Sequence, residues 1–169
     1  MSELVLNISK LSLGSHQRSL EVSPAGVGLD ERFDRNVRVE VALEKNTRQL
    51  YARVQFSTVG KFTCDRCLDE FEREIASGYS VVYVMDGDAQ GHVQGSEEIQ
   101  VITPDTNTVD LGEDVRQYAL LALPYKILCR DDCAGLCATC GVNKNKTTCN
   151  CRTEELDPRW EVLKQIPKN

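Results

Sequence analysis

The sequence predicts an α+β, β-rich fold: an antiparallel sheet or partly open barrel covered by one helix, followed by a cysteine-rich C-terminal segment. Three observations carry this. Apolar and polar residues alternate through residues 37–44, 50–56 and 77–84, the period of strands with one buried face. Within residues 111–123, Leu111, Val115, Tyr118, Ala119 and Ala122 recur at helical spacing. Beyond Pro124 the chain turns to short stretches dense in Cys, Gly, Asn and Thr, with few residues able to build a core. The expected division is a β-rich domain with its covering helix over 1–125, and a cysteine-rich segment with a short C-terminal helix over 126–169.

Residues 4–8 read as a strand, and residues 24–30, with Gly26 and Gly28, as a loop. Val37, Val39, Val41 and Leu43 share one strand face; after Lys45, Asn46 and Thr47 the alternation resumes at Leu50, Ala52, Val54 and Phe56, which makes a hairpin. Its second arm runs through Val59 and Phe62 to Cys64, and Tyr79, Val81 and Tyr83 mark the next strand of an antiparallel meander. Residues 86–115 hold eight acidic residues and no Lys or Arg. The plain reading is a solvated acidic loop around a short strand at 99–102; the functional one is a contact for a basic partner. Asp110 is placed to cap the helix and Pro124 to end it, and the helix covers the open face of the sheet. At the far end Asp157 caps and Pro158 fills the first turn of a helix whose Trp160, Leu163 and Ile166 face inward until Pro167.

With 169 residues, 41% hydrophobic and 27% charged, the composition excludes disordered, collagen-like and membrane-spanning chains. Aromatic residues at 6% leave few platforms for base stacking, and a net charge of −6 disfavours non-specific binding to phosphates. Residues 1–19 show no basic leader followed by an unbroken apolar run, because Asn7, Ser9, Lys10 and Ser12 interrupt it. A cytoplasmic protein without membrane association is expected.

In a reducing cytoplasm, eight paired cysteines are better explained as metal-binding thiolates than as disulfides. Cys137-Ala-Thr-Cys140-Gly141 is a zinc-knuckle signature, in which the glycine permits the turn that aims backbone N–H groups at both sulfurs. Cys149-Asn-Cys151 holds two thiolates too close to bridge each other without strain, yet able to share one metal. Soft thiolates in a closed tetrahedron select zinc, or less often an iron–sulfur cluster, over hard cations. Cys137, Cys140, Cys149 and Cys151 are therefore expected to form a zinc-ribbon-like site. Cys64-Asp-Arg-Cys67 and Cys129-Arg-Asp-Asp-Cys133 make a second candidate set, provided the helix exit lies beside the strand end. Unmetallated buried thiols, a pairing of Cys129 and Cys133 with the C-terminal set, and a redox pair remain alternatives; no thioredoxin-like strand–helix pattern surrounds Cys64.

Zinc here acts as a staple. Residues 126–156 hold too little apolar surface to fold alone, and thiolate binding of zinc supplies on the order of 10 kcal/mol to such a segment. Four sulfurs leave no open position for catalysis, and the two histidines, His16 and His92, sit in polar, loop-like sequence away from the cysteine pairs. Nucleophile-elbow, P-loop and dinucleotide-binding glycine motifs are absent, so a non-enzyme with no small-molecule substrate is expected. Lys144 and Lys146 lie on the loop between the ligand pairs, where a rigid ribbon could present them to phosphate; two solubilising lysines are the plainer reading.

Taken together, Cys64-x-x-Cys67-Leu68, Leu120-Leu-Ala-Leu-Pro124, Cys133-Ala-Gly-Leu-Cys137-x-x-Cys140-Gly141-x-Asn143, Cys149-x-Cys151 and Asp157-Pro-Arg159 resemble the bacterial YceD family, the large ribosomal RNA subunit accumulation proteins. The resemblance runs from about Val37 to Leu163. Ala138 stands where that family more often has Pro, and Lys144 falls within its usual Asn-Leu-Asn; neither is an expected ligand. The resemblance implies a non-enzymatic ribosome-biogenesis factor supporting accumulation or processing of large-subunit (23S) ribosomal RNA. Its implied partners are that RNA or the pre-ribosome, with a basic ribosomal protein facing the acidic stretch. Two other readings stand beside it: a zinc-stapled protein–protein adaptor without RNA contact, and a metal-independent thiol enzyme using Cys64 and Cys67.

Overall fold

The computed structural model describes residues 2–85, 98–103 and 105–151. Their order is β1 (Val5–Asn7), β2 (Gly14–Val22), a 3₁₀ turn (Ala25–Val27), β3 (Val37–Lys45), β4 (Gln49–Thr63), β5 (Glu70–Met85), β6 (Glu98–Ile102), β7 (Thr108–Asp110) and α1 (Gly112–Leu121). Strands β2 to β6 form one open five-stranded sheet in sequence order, and β1 pairs with β7 in a separate two-stranded sheet. No helix among the described residues is long and apolar enough to cross a membrane.

The alternating pattern does what its period requires. Val37, Val39, Val41 and Leu43 of β3, Leu50, Ala52, Val54 and Phe56 of β4, and Tyr79, Val81 and Tyr83 of β5 all bury on one face, while Arg38, Glu40, Ala42 and Glu44 face water. The β3–β4 turn closes through Asn46, whose Oδ1 accepts from the backbone N–H of Arg48 at 2.9 Å and of Gln49 at 2.8 Å. Helix α1 lies on the apolar face, burying Leu111, Val115 and Ala119, and Tyr118 stacks on Tyr79 with ring centroids 4.8 Å apart. Leu4, Leu6 and Ile8 around β1, with Val109 of β7, complete this layer.

Several details differ from the sequence reading, among them β7, which that reading lacks, and the end of α1 at Leu121, short of Pro124. Strand β2 falls in a stretch with no apolar alternation, because it is an edge strand with every residue exposed or half-buried. Strand β6 joins β5 in parallel, so the meander ends at β5; a parallel neighbour needs a connection of about a dozen residues, the length between Met85 and Glu98. The 24–30 loop contains a 3₁₀ turn. Helix α1 begins one residue later than a cap at Asp110 would place it, yet Asp110 Oδ1 still accepts from the Gly112 N–H at 2.8 Å. The C-terminal helix expected at 157–167 and His92 lie outside the described residues.

Strands β4 and β5 outrun the sheet. Beyond Ser57 no β3 residue pairs with β4, so residues 58–63 and 70–75 project as a two-stranded arm. The arm is braced from beneath: Phe33 packs edge-on against Phe62 at 6.0 Å, Lys61 N–H donates to the Arg32 carbonyl at 2.7 Å, and the buried Thr58 hydroxyl donates to the Arg35 carbonyl at 3.0 Å. Its tip carries residues 64–69.

Leu111, fully buried where β7 meets α1, is the joint between the two layers. Leu111→Ala is expected to lower stability by roughly 2–5 kcal/mol, read from the urea midpoint at unchanged slope; a loss under about 1 kcal/mol would contradict this packing.

Candidate metal centre

The hairpin tip is built as a knuckle. Cys64 N–H donates to the Asp69 carbonyl at 2.9 Å, extending the ladder, and Leu68 N–H donates back to the Cys64 carbonyl at 2.9 Å. Leu68 sits at φ +59°, a left-handed conformation that costs a non-glycine residue roughly 1–2 kcal/mol. The second knuckle repeats this geometry: Gly141, at φ +72°, donates to the Cys137 carbonyl at 2.9 Å. Leu68 and Gly141 thus hold equivalent turn positions, and the leucine side chain is 63% exposed.

From α1 the chain returns to this tip. Asp65 N–H donates to the Ile127 carbonyl at 2.8 Å, and Ile127 N–H to Asp65 Oδ2 at 2.7 Å, which delivers Cys129 and Cys133 to the arm. The sulfurs of Cys64, Cys67, Cys129 and Cys133 all lie within 4.8 Å of one another, and so do those of Cys137, Cys140, Cys149 and Cys151. Cys129 and Cys133 therefore gather with the hairpin pair, not with the C-terminal set. In the first, inner cluster Cys64 and Cys133 are 3.8 Å apart at Sγ and Cys67 and Cys129 3.7 Å. A tetrahedron of sulfurs about 2.3 Å from one metal has an edge of about 3.8 Å, so the spacing fits. The outer cluster leaves Cys140 and Cys151 exposed, whereas Cys64, Cys67 and Cys133 are buried.

Thiol acidity shows why these sets suit a cation. Backbone N–H groups of Cys140 and Thr139 bring the Cys137 thiol down to about 6. At Cys64 burial opposes ionisation, but N–H groups of Cys129, Cys67 and Arg66 outweigh it and the thiol falls to about 6. The remaining sulfurs then repel further ionisation: burial and its neighbours push Cys129 up to about 12, and the sulfur of Cys140, with burial, pushes Cys151 up to about 12. A divalent ion held there would remove that repulsion, with all four residues as thiolate ligands. The two clusters can hold metal ions.

Polar groups that sequence reasoning missed lock the clusters together. Leu136 N–H donates to the Arg66 carbonyl at 3.1 Å, and Arg66 Nη1 donates to the Cys133 carbonyl at 3.0 Å. The first contact is possible because Gly135 is bare: a Cβ there would meet the Arg66 oxygen at 3.1 Å. Asp69 accepts from Asn143 Nδ2 at 2.8 Å and pairs with Lys146 Nζ at 2.7 Å. Lys146, for which the sequence left open phosphate contact beside the plainer solubilising role, is paired with a carboxylate of the hairpin tip. The Lys144 side chain remains exposed, with no partner among the described residues. His16 lies apart from the clusters on β2, where its Nε2 is 2.8 Å from the Ser12 carbonyl oxygen. The signal for Asn143 was its side-chain turn, with Oδ1 accepting the Asn145 N–H at 2.9 Å, a habit of asparagine in loops.

Because Leu68 makes little use of its side chain, Leu68→Gly is expected to relieve the left-handed strain at a smaller cost in chain entropy. The net effect is a gain of up to about 1 kcal/mol. A lowered unfolding midpoint of the metal-loaded variant would contradict it.

The comparisons with known proteins bear on the same residues. Proteins of Mycobacterium tuberculosis and Mycobacterium bovis, both carried as uncharacterized, are 28% identical over 151 residues, covering 85% of this chain and 70% of theirs. A chloroplastic large ribosomal RNA subunit accumulation protein YCED homolog 1 of Arabidopsis thaliana is 33% identical over 60 residues, 36% of this chain and 19% of that protein. Its Zea mays counterpart is 29% identical over 97 residues, 55% of this chain and 32% of its own. No solved structure matches. The family model for large ribosomal RNA subunit accumulation protein YceD matches residues 52–166, a span that holds the arm, α1 and all eight cysteines. With more than half of its length in that match, this chain belongs to the YceD family.

Proposed function

We propose that the chain is a non-enzymatic ribosome-biogenesis factor supporting accumulation or processing of large-subunit ribosomal RNA, its C-terminal part shaped by one zinc ion in each cluster. The observation that carries the reading is that every cysteine in the family-matched span belongs to a closed four-sulfur set. Within residues 126–151 the buried residues are Cys133, Gly135 and Cys137, so among the described residues the segment has little apolar burial beyond Ile127 and Leu128, which are partly buried. Zinc would supply the missing folding free energy, on the order of 10 kcal/mol per site, and four thiolates leave no coordination position for chemistry.

Two surfaces support the ribosomal reading. Lys144 is exposed, with no side-chain partner among the described residues, on a loop fixed at both sides, a fit for phosphate contact. Glu98, Asp105, Asp110 and Glu113 are exposed carboxylates on the side of β6 and α1, suited to a basic ribosomal protein.

Protein purified without added metal is expected to carry two zinc ions per chain by elemental analysis, and a Cys64→Ser, Cys67→Ser variant one. Metal-free protein with ordered residues 126–151, judged by hydrogen exchange, would overturn the zinc reading. In cells, depletion is expected to lower the ratio of large- to small-subunit ribosomal RNA, restored by the wild-type chain but not by a Cys137→Ser, Cys140→Ser chain. An unchanged ratio would remove the biogenesis role. Lys144→Glu is expected to weaken salt-sensitive co-sedimentation with large-subunit precursors; full binding by this variant would take the loop out of the RNA contact.

A further inference from the structure

We propose that Asn145 is a positioning residue that couples the two clusters, so that closing the outer one tightens metal retention in the inner one. The inference rests on the metal reading above and concerns how the two sites communicate.

Asn145 lies on the loop between Cys140 and Cys149, two residues of the outer cluster, yet its side chain reaches the inner cluster. Its Nδ2 donates to Cys133 Sγ at 3.3 Å and to Asn143 Oδ1 at 2.9 Å. Its Oδ1 accepts from Ala134 N–H and from Arg130 Nη2, each at 2.8 Å. With two donors on the oxygen and two acceptors on the nitrogen, the amide cannot flip without losing all four contacts. The N–H is therefore fixed toward the sulfur, where it offsets thiolate charge and orients the ligand.

The loop that carries this amide is fastened to the inner cluster by its neighbours. Lys144 N–H donates to the Gly135 carbonyl at 2.9 Å, and Asn143 and Lys146 hold Asp69, two residues beyond Cys67. The outer cluster sits at both ends of the same loop. Closing it fixes those ends and removes much of the entropy that would otherwise draw Asn145 off Cys133. Opening it leaves the amide held by those loop contacts alone, without the two fixed ends. The exposed Cys140 and Cys151 make the outer cluster the one a chelator reaches first.

The test is zinc transfer from the purified, zinc-loaded full chain to a chromogenic chelator, which should show a fast outer and a slow inner phase. Asn145→Ala and Asn145→Asp are expected to quicken the slow phase roughly 10–100-fold and leave the fast phase unchanged. Asn145→Asp keeps the acceptor for Arg130 and Ala134 and replaces the donor by a charged oxygen facing Cys133 Sγ, whereas Asn145→Ala removes the donor without adding charge. A Cys140→Ser, Cys151→Ser variant with Asn145 intact should bind one zinc ion and release it at the quickened rate. In cobalt-loaded protein, Asn145→Ala is expected to move the inner site's sulfur-to-metal charge-transfer band to lower energy, which loosened loop packing alone would not do. A slow phase unaltered in the Asn145 variants, or unaltered in the cysteine variant, would overturn the coupling while leaving two bound zinc ions in place. A wild-type chain that binds no metal would instead overturn the reading beneath it.

Discussion

Four sulfurs confined within 4.8 Å of one another cannot all ionise unless positive charge lies between them. That constraint organises this molecule. Where the β-rich part gains stability by burying valines and leucines, the described residues after Pro124 bury Cys133, Gly135 and Cys137, and their contacts gather around the sulfurs. Phe71 joins the two regimes, packing against the apolar core on one side and against Cys64, Cys67 and Cys133 on the other.

The sheet serves this arrangement through its unequal strand lengths. Because β4 and β5 continue past β3, the first knuckle stands clear of the helical layer, where the chain leaving α1 can meet it. The contacts made there are largely backbone to backbone or to short polar side chains, which fixes position with little apolar area. Hydrogen bonds from Asp65, Arg66 and Asp69 cross to residues 127, 133, 136, 143 and 146, so the hairpin tip and the cysteine-rich segment form one structural unit around the inner cluster.

Much of this was legible in the residues themselves. Strict alternation from Val37 to Phe56 and the spacing of Leu111, Val115 and Ala119 each report a single buried face, and both faces are where that periodicity puts them. Strand β2 was not legible because an edge strand that touches the core only through the half-buried Leu20 and Val22 shows little alternation. The parallel seating of β6 depends on a partner strand, and no local pattern encodes it. At the clusters, spacing grouped the C-terminal four cysteines and offered Cys64, Cys67, Cys129 and Cys133 as a second set, but left open a pairing of Cys129 and Cys133 with the C-terminal four, since that is decided by where the arm ends. Nor could it foresee that Lys146 would be claimed by Asp69, 77 positions earlier.

The inner cluster joins residues far apart in the order of synthesis. Cys67 and Cys129 are separated by 62 positions. A ribosome adding about 5–20 residues each second therefore exposes the hairpin pair roughly 3–12 s before its counterparts exist. During that interval the nascent chain offers two unclaimed thiols at the end of a projecting hairpin. The clasp is closed by a segment made 62 positions after the hairpin pair, and translation itself sets the clock for its completion.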